Sequence, residues 1–171
     1  NMKVQKLLYY AQSLHLALYD APLFAEEIQA WRYGPVCPSA YHYYSEFEAE
    51  PLPILDKPEG ANLSEENLAL LEEVWEYFGE YHANQLSGMT HLEFPWQKAR
   101  HGLPAVARST EPILLEDMKV LGLEKLDQIE RENPVYQDQL SQVIERVKTA
   151  TPSRRRLQKE EIGDWLESLL A

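Results

Sequence analysis

Five histidines, one cysteine and 28 carboxylates are the side chains in this sequence that could carry out acid–base, nucleophilic or metal chemistry. His15, His42, His82, His91 and His101 fall at spacings that form no metal-binding pattern such as H-E-x-x-H, and His91-Leu92-Glu93 alone is too short a motif to hold an ion. Cys37 lies five residues before His42, and an adjacent imidazolium would lower a thiol pKa enough to make a nucleophile. Set between Pro35 and Pro38 among aromatic residues, the same cysteine also reads as a small buried hydrophobe. A lone cysteine excludes a disulfide within the chain. The glycines are scattered and no Gly-rich phosphate loop is present. A small hydrolase or metal-dependent enzyme using His91, His42 and nearby carboxylates therefore stands as the enzymatic alternative.

The densest chemical feature is Ala30 to Tyr44, AWRYGPVCPSAYHYY, with five aromatic rings in fifteen residues. Such rings can stack on bases, form a protein interface or build a structural corner turned at Gly34-Pro35. Base stacking in single-strand binders is accompanied by a cationic groove, whereas here Arg32 stands alone beside Glu46, Glu48 and Glu50. With 16 Lys and Arg against 28 Asp and Glu, the net charge is −12, so the whole-molecule field repels nucleic acid and favours a basic partner. Arg154-Arg155-Arg156 is followed at once by Lys159-Glu160-Glu161 and reads as a solvated linker. His91, beside a helix end and the Pro95-Trp96 pair, is expected to bond a backbone carbonyl or the surroundings of Trp96. No apolar run approaches the roughly 20 residues of a spanning helix and no signal segment opens the sequence, which suggests a cytoplasmic protein.

The elements that must position these residues are mostly helical. Val4, Leu7, Leu8, Ala11, Leu14 and Leu18 recur at spacings of three and four, predicting a helix over 3–19 with that stripe on the core and Gln5, Lys6, Gln12 and Ser13 mostly outside it. Asn1-Met2 offers no cap-and-staple start, so an earlier helix is expected outside this sequence. Asp20-Ala21-Pro22 ends the first helix. Residues 23–36 read as a short helix or irregular arm, admitting a very short β element. Ser39 is expected to cap a second helix with Tyr41, Tyr44 and Phe47 inward. Residues 50–63 form a loop rich in proline. Ser64-Glu65-Glu66 starts a helix with Leu68, Leu71, Val74, Trp75, Phe78 and Tyr81 inward, and Asn84 then caps the next. Thr90 and Glu93 sit at capping-box spacing before Pro95, predicting two short helices that meet near His91. Thr110-Glu111-Pro112 opens a helix through Leu114, Leu115, Met118 and Leu121 that Gly122 stops. Asn133-Pro134 opens another, with Tyr136, Leu140, Val143, Ile144 and Val147 inside. A last amphipathic segment carries Ile162, Trp165, Leu166, Leu169 and Leu170.

Three separated stretches together resemble one family. Val4 to Gln12, VQKLLYYAQ, is similar to the opening helix of the Panacea domain, the SocA-like antitoxin family known as a phage-associated domain. Phe24–Glu27 and Ala30-Trp31-Arg32-Tyr33-Gly34-Pro35-Val36, with Pro38 and Tyr41, resemble its AW-x-x-GPV-x-P-x-x-Y motif. Leu86-Ser87, Thr90-His91, Glu93, Pro95-Trp96 and Ala99 resemble its Ls-x-x-TH-x-E-x-PW-x-x-A motif. The resemblance covers residues 1–120 as a Panacea domain and leaves 121–171 as a C-terminal helical extension. It implies a mainly α domain with a Pro/aromatic corner. The implied function is that of an antitoxin neutralising a cognate protein toxin by direct contact, without catalysis, cofactor or metal. For the SocA-type member it further implies delivery of the toxin to an ATP-dependent protease. Carried over residue by residue, it gives structural or partner-binding roles to Gln5, Lys6, Leu7, Tyr9, Trp31, Gly34, Pro35, Val36, Tyr41, Thr90, His91, Pro95 and Trp96. A homo-oligomer stays open, and membrane or nucleic-acid partners are not expected.

Overall fold

The computed structural model describes residues 1–47 and 63–132. The chain divides into Asn1–Arg131 and Glu132–Ala171, and the account below concerns the first of these units. All but the last residue of the loop expected over 50–63, and the two C-terminal segments expected from Asn133 onward, lie outside the described residues. Within them the fold is mainly α: α1 (Met2–Tyr19), the strands β1 (Gln29–Trp31) and β2 (Gly34–Val36), α2 (Pro38–Tyr43) and a 3₁₀ turn at Ser45–Phe47. These are followed by α3 (Glu65–Phe78), α4 (Ala83–Leu92), α5 (Phe94–Ala99) and α6 (Leu115–Glu132). No helix among them is long and apolar enough to cross a membrane.

Helix α1 is the axis of the core, and more of its circumference is covered than one apolar stripe would require. Tyr9, Tyr10, Ala11 and Leu14 pack with Leu70, Val74 and Phe78 of α3, Leu86 of α4, Trp96 of α5 and Met118 and Leu121 of α6. The Tyr10 and Phe78 rings stack at 4.0 Å between centroids. The expected stripe is rotated: Val4, Leu7 and Leu8 are half-buried and Leu18 is exposed, whereas Gln5, Lys6, Gln12 and Ser13 are buried. These polar residues lie inside because irregular backbone beside them needs hydrogen-bond partners. Gln12 Oε1 accepts from the Leu23 and Phe24 amides at 2.8 and 3.3 Å, and its Nε2 donates to the Phe24 carbonyl at 3.0 Å. Asp20, in the left-handed region at φ 55°, ends the helix.

Residues 23–31 make neither the short helix nor a fully irregular arm, because β1 pairs antiparallel with β2, with Trp31 opposite Gly34. The chain therefore turns at Arg32-Tyr33 rather than at Gly34-Pro35. Segment 111–113 covers the outer edge of β1, with Ala30 N–H donating to the Glu111 carbonyl and Ile113 N–H to that of Ile28, both at 2.8 Å. This pairing delays α6 to Leu115 and overturns the expected start at Thr110. Cys37, not Ser39, occupies the N-cap of α2, and Pro38 fills its first turn. Tyr41 is exposed and Tyr44 half-buried, so α2 has no buried face. In α3, capped by Ser64, the inward face is Leu70, Val74 and Phe78, leaving Leu68 and Trp75 in solvent. His82, not Asn84, caps α4, its N–H donating to Gln85 Oε1 at 2.9 Å. Thr90 lies inside α4 and Glu93 forms the joint between α4 and α5, so the two make no capping box.

Gly122 does not stop α6, which runs on to Glu132 and across the 120/121 position. It is instead the point where α6 crosses α1: a Cβ there would collide with the Ser13 carbonyl and sit 2.9 Å from Ala17 Cβ. Gly88, in α4, faces open space. Gly122→Ala is accordingly expected to destabilise by about 2 kcal/mol or more through overpacking. Gly88→Ala should stabilise by about 0.5–1 kcal/mol through helix propensity. Urea unfolding of the two variants, which share one chemical change, checks the opposite signs.

Candidate functional site

The β1–β2 hairpin is too small to satisfy its own backbone, and side chains from three helices and the residue after α5 do so instead. Arg100 Nη1 donates to the Ala30 carbonyl at 3.1 Å, Trp96 Nε1 to Trp31 at 2.8 Å and Ser87 Oγ to Tyr33 at 2.9 Å. Lys6 Nζ donates to the Pro35 carbonyl at 3.0 Å, and His91 Nε2 bonds that of Arg32 at 3.1 Å. The carbonyl acceptor requires that Nε2 carry the imidazole proton. Gln5 Oε1 accepts from the Cys37 amide at 3.0 Å and fixes the exit of β2. Gly34, at φ +98°, lets this clasp close: a Cβ there would lie 2.6 Å from Thr90 Oγ1 and 2.8 Å from Lys6 Nζ.

Burial sets the electrostatics of the clasp. The Lys6 amine has one acceptor among the described residues, and desolvation lowers its pKa from 10.5 to about 7. Burial also lowers the pKa of His91, while its bond to the Arg32 carbonyl opposes that shift; its ring packs against Trp96 with centroids 4.3 Å apart. At the α4–α5 joint, Glu93 Oε1 accepts from Tyr10 Oη and pairs with Lys125 Nζ, each at 3.0 Å. Burial raises the Glu93 pKa although Lys125 and Tyr10 favour its ionised form. Burial, and next the charge on Glu93, hold the Tyr9 phenol well above its ordinary value. Tyr9 Oη and Glu93 Oε2 have no hydrogen-bond partner among the described residues.

A groove of about 700 Å³ opens where α1, the hairpin and segment 108–110 meet. Of the residues singled out in the sequence, Gln5, Lys6, Trp31, Val36 and Tyr41 line it. Gly34, Pro35 and Thr90 are buried in the hairpin and its support, and His91 and Trp96 belong to the clasp. Pro95 is buried in the first turn of α5, Tyr9 is in the core, and Leu7 lines a separate shallow furrow between α1 and α3. Cys37 is buried with Sγ 3.3 Å from Ser39 Oγ, while His42 is exposed against the edge of Tyr41. Among the described residues no three His, Cys, Asp or Glu side chains converge as a metal site. Arg100 and Arg108 escaped the sequence reading. Arg100 directly follows the third motif, and its place four residues after Trp96, on the same helical face, was the available signal. Arg108 had none.

In this helical domain, polar side chains from three distant sequence stretches act as a single device that clamps one hairpin. The family model described as Antitoxin SocA-like, Panacea domain, matches residues 4–97, and the chain belongs to this family. No curated protein and no solved structure shows significant similarity to the chain.

Lys6 links the clasp to a measurable pH dependence. Between pH 7 and 10.5 the unfolded amine holds a proton that the folded amine has released, so stability rises with pH by up to about 1.4 kcal/mol per unit. Thermal unfolding of wild type and Lys6→Met from pH 7 to 9 should show this rise in wild type and its loss in the variant.

Proposed function

We propose that this protein is an antitoxin that binds a cognate protein toxin directly and suppresses it without a chemical step of its own, in the cytoplasm. Membership of the SocA-like antitoxin family across residues 4–97 carries this reading. Three properties of the chain support it. The clasp fixes the hairpin, so a partner meets a surface that needs little ordering on binding. Tyr33, Tyr43 and Trp75 are each more than half exposed and supply the large, stiff side chains favoured at interface centres. The net charge of −12 suits a basic toxin and would accelerate its capture.

The test is co-expression with the toxin encoded beside this gene. Relief of growth arrest together with a stoichiometric complex on purification is the expected outcome. Persistent arrest in cells that contain soluble, folded antitoxin would sink the reading. Disappearance of the toxin only in cells with an active ATP-dependent protease would replace simple neutralisation by delivery for degradation.

A further inference from the structure

The groove beside the hairpin collects positive charge in a strongly negative protein. Lys6, Arg32 and Arg108 line it together with Trp31, Tyr33 and Tyr41, and among the described residues no carboxylate does. Among the described residues neither guanidinium is in an ion pair. Arg32 lies over the Tyr33 ring at 5.0 Å, and no side-chain hydrogen bond ties Arg108 to another described residue. The loop before Arg108 is nevertheless held: Arg100 Nη2 donates to the Pro104 and Ala107 carbonyls, both at 2.7 Å. Among the described residues Arg108 is thus a cation without a partner on a fixed base. Behind it the Lys6 ammonium meets a single carbonyl, and an anion in the groove would be the partner that keeps it charged.

We propose that this groove binds a small phosphorylated ligand carrying an aromatic ring, a nucleoside monophosphate in its simplest form. Two guanidinium forks and the Thr110 hydroxyl, with the charge of the inward-facing Lys6 behind them, offer more donors than the two oxygens of a carboxylate can use, and they match a phosphate with three acceptor oxygens and nearly two charges. The three rings supply the sequence-tolerant stacking surface that bases use. About 700 Å³ lies within the range of small-ligand clefts, roughly 300–1,000 Å³. A single phosphate interacts within a Debye length, about 8–10 Å, of these cations, whereas an extended nucleic acid would run out over the acidic surface. The site stands whether or not the chain neutralises a toxin.

Titration calorimetry of the full chain with AMP, GMP, CMP and UMP, and separately with adenosine and inorganic phosphate, tests the assignment. At least one nucleotide should bind saturably, and more tightly than adenosine or phosphate. Arg108→Ala, at an exposed side chain without a partner among the described residues, should weaken that binding by tenfold or more with the melting temperature unchanged, and Arg108→Lys should restore part of it. Absence of saturable binding by any of the four at millimolar concentration overturns the proposal. So does nucleotide binding that Arg108→Ala and Arg32→Ala both leave unchanged.

Discussion

Five carbonyl groups in a single hairpin, at Ala30, Trp31, Arg32, Tyr33 and Pro35, govern the architecture of this domain. Two strands of three residues cannot stand alone in water, and their outward backbone groups would be left unpaired on burial. Each of the five is met by a different side chain, from Arg100, Trp96, His91, Ser87 and Lys6. These donors come from α1, α4, α5 and the residue after α5, so the hairpin can form only when those elements are already in register. The reverse also holds: the helices need the hairpin, because Lys6 and Arg100 are almost wholly buried and would otherwise lose their acceptors.

This constraint explains what the sequence revealed and what it concealed. Helix periodicity located α1 and α3 because runs of eighteen and fourteen residues repeat a signal several times. It misjudged which face of α1 is buried, because Gln5, Lys6 and Gln12 look like solvent residues until their backbone partners, some 11 to 32 residues away, are in place. The hairpin was admitted only as a very short β element within 23–36, because three-residue strands are too short to show alternation and proline at its outer edge reads as a breaker when no amide is needed there. Gly122 read as a stop because its role, admitting the Ser13 carbonyl, is entirely tertiary. The third motif was legible as a pattern, and His91 was expected to bond a backbone carbonyl, as it does at Arg32, but nothing said that Ser87 and Trp96 aim at the carbonyls on either side of it.

The same arrangement bears on the charge of the surface. Lys6 and Arg100 are turned inward onto carbonyls, and Lys125 onto the buried Glu93, so these cations do little to offset the acidic exterior. Arg32 and Arg108 stand apart from this economy of positive charge. They line one groove, next to the inward-facing Lys6, and among the described residues no carboxylate joins them. A local potential opposite in sign to the net charge therefore arises from the placement of the clasp rather than from composition, which is why a count of −12 gave no hint of it.

Lys6 and Gly34 are best understood as one unit. An amine at position 6 reaches the Pro35 carbonyl only by passing where the Cβ of residue 34 would be, and Thr90 Oγ1 occupies the rest of that space. Glycine is required twice over, by this contact and by its φ of +98°. Methionine at position 6 could fill the volume but would leave the carbonyl bare, whereas arginine would bring a bulkier head into a gap already closed to a methyl group. Lysine is thus favoured by geometry despite the desolvation that drives its pKa down to about 7. A buried amine with its pKa near 7, held against the wall of the groove, follows from how the hairpin is fastened, so the fold's stability and the protonation of that amine depend on one side chain.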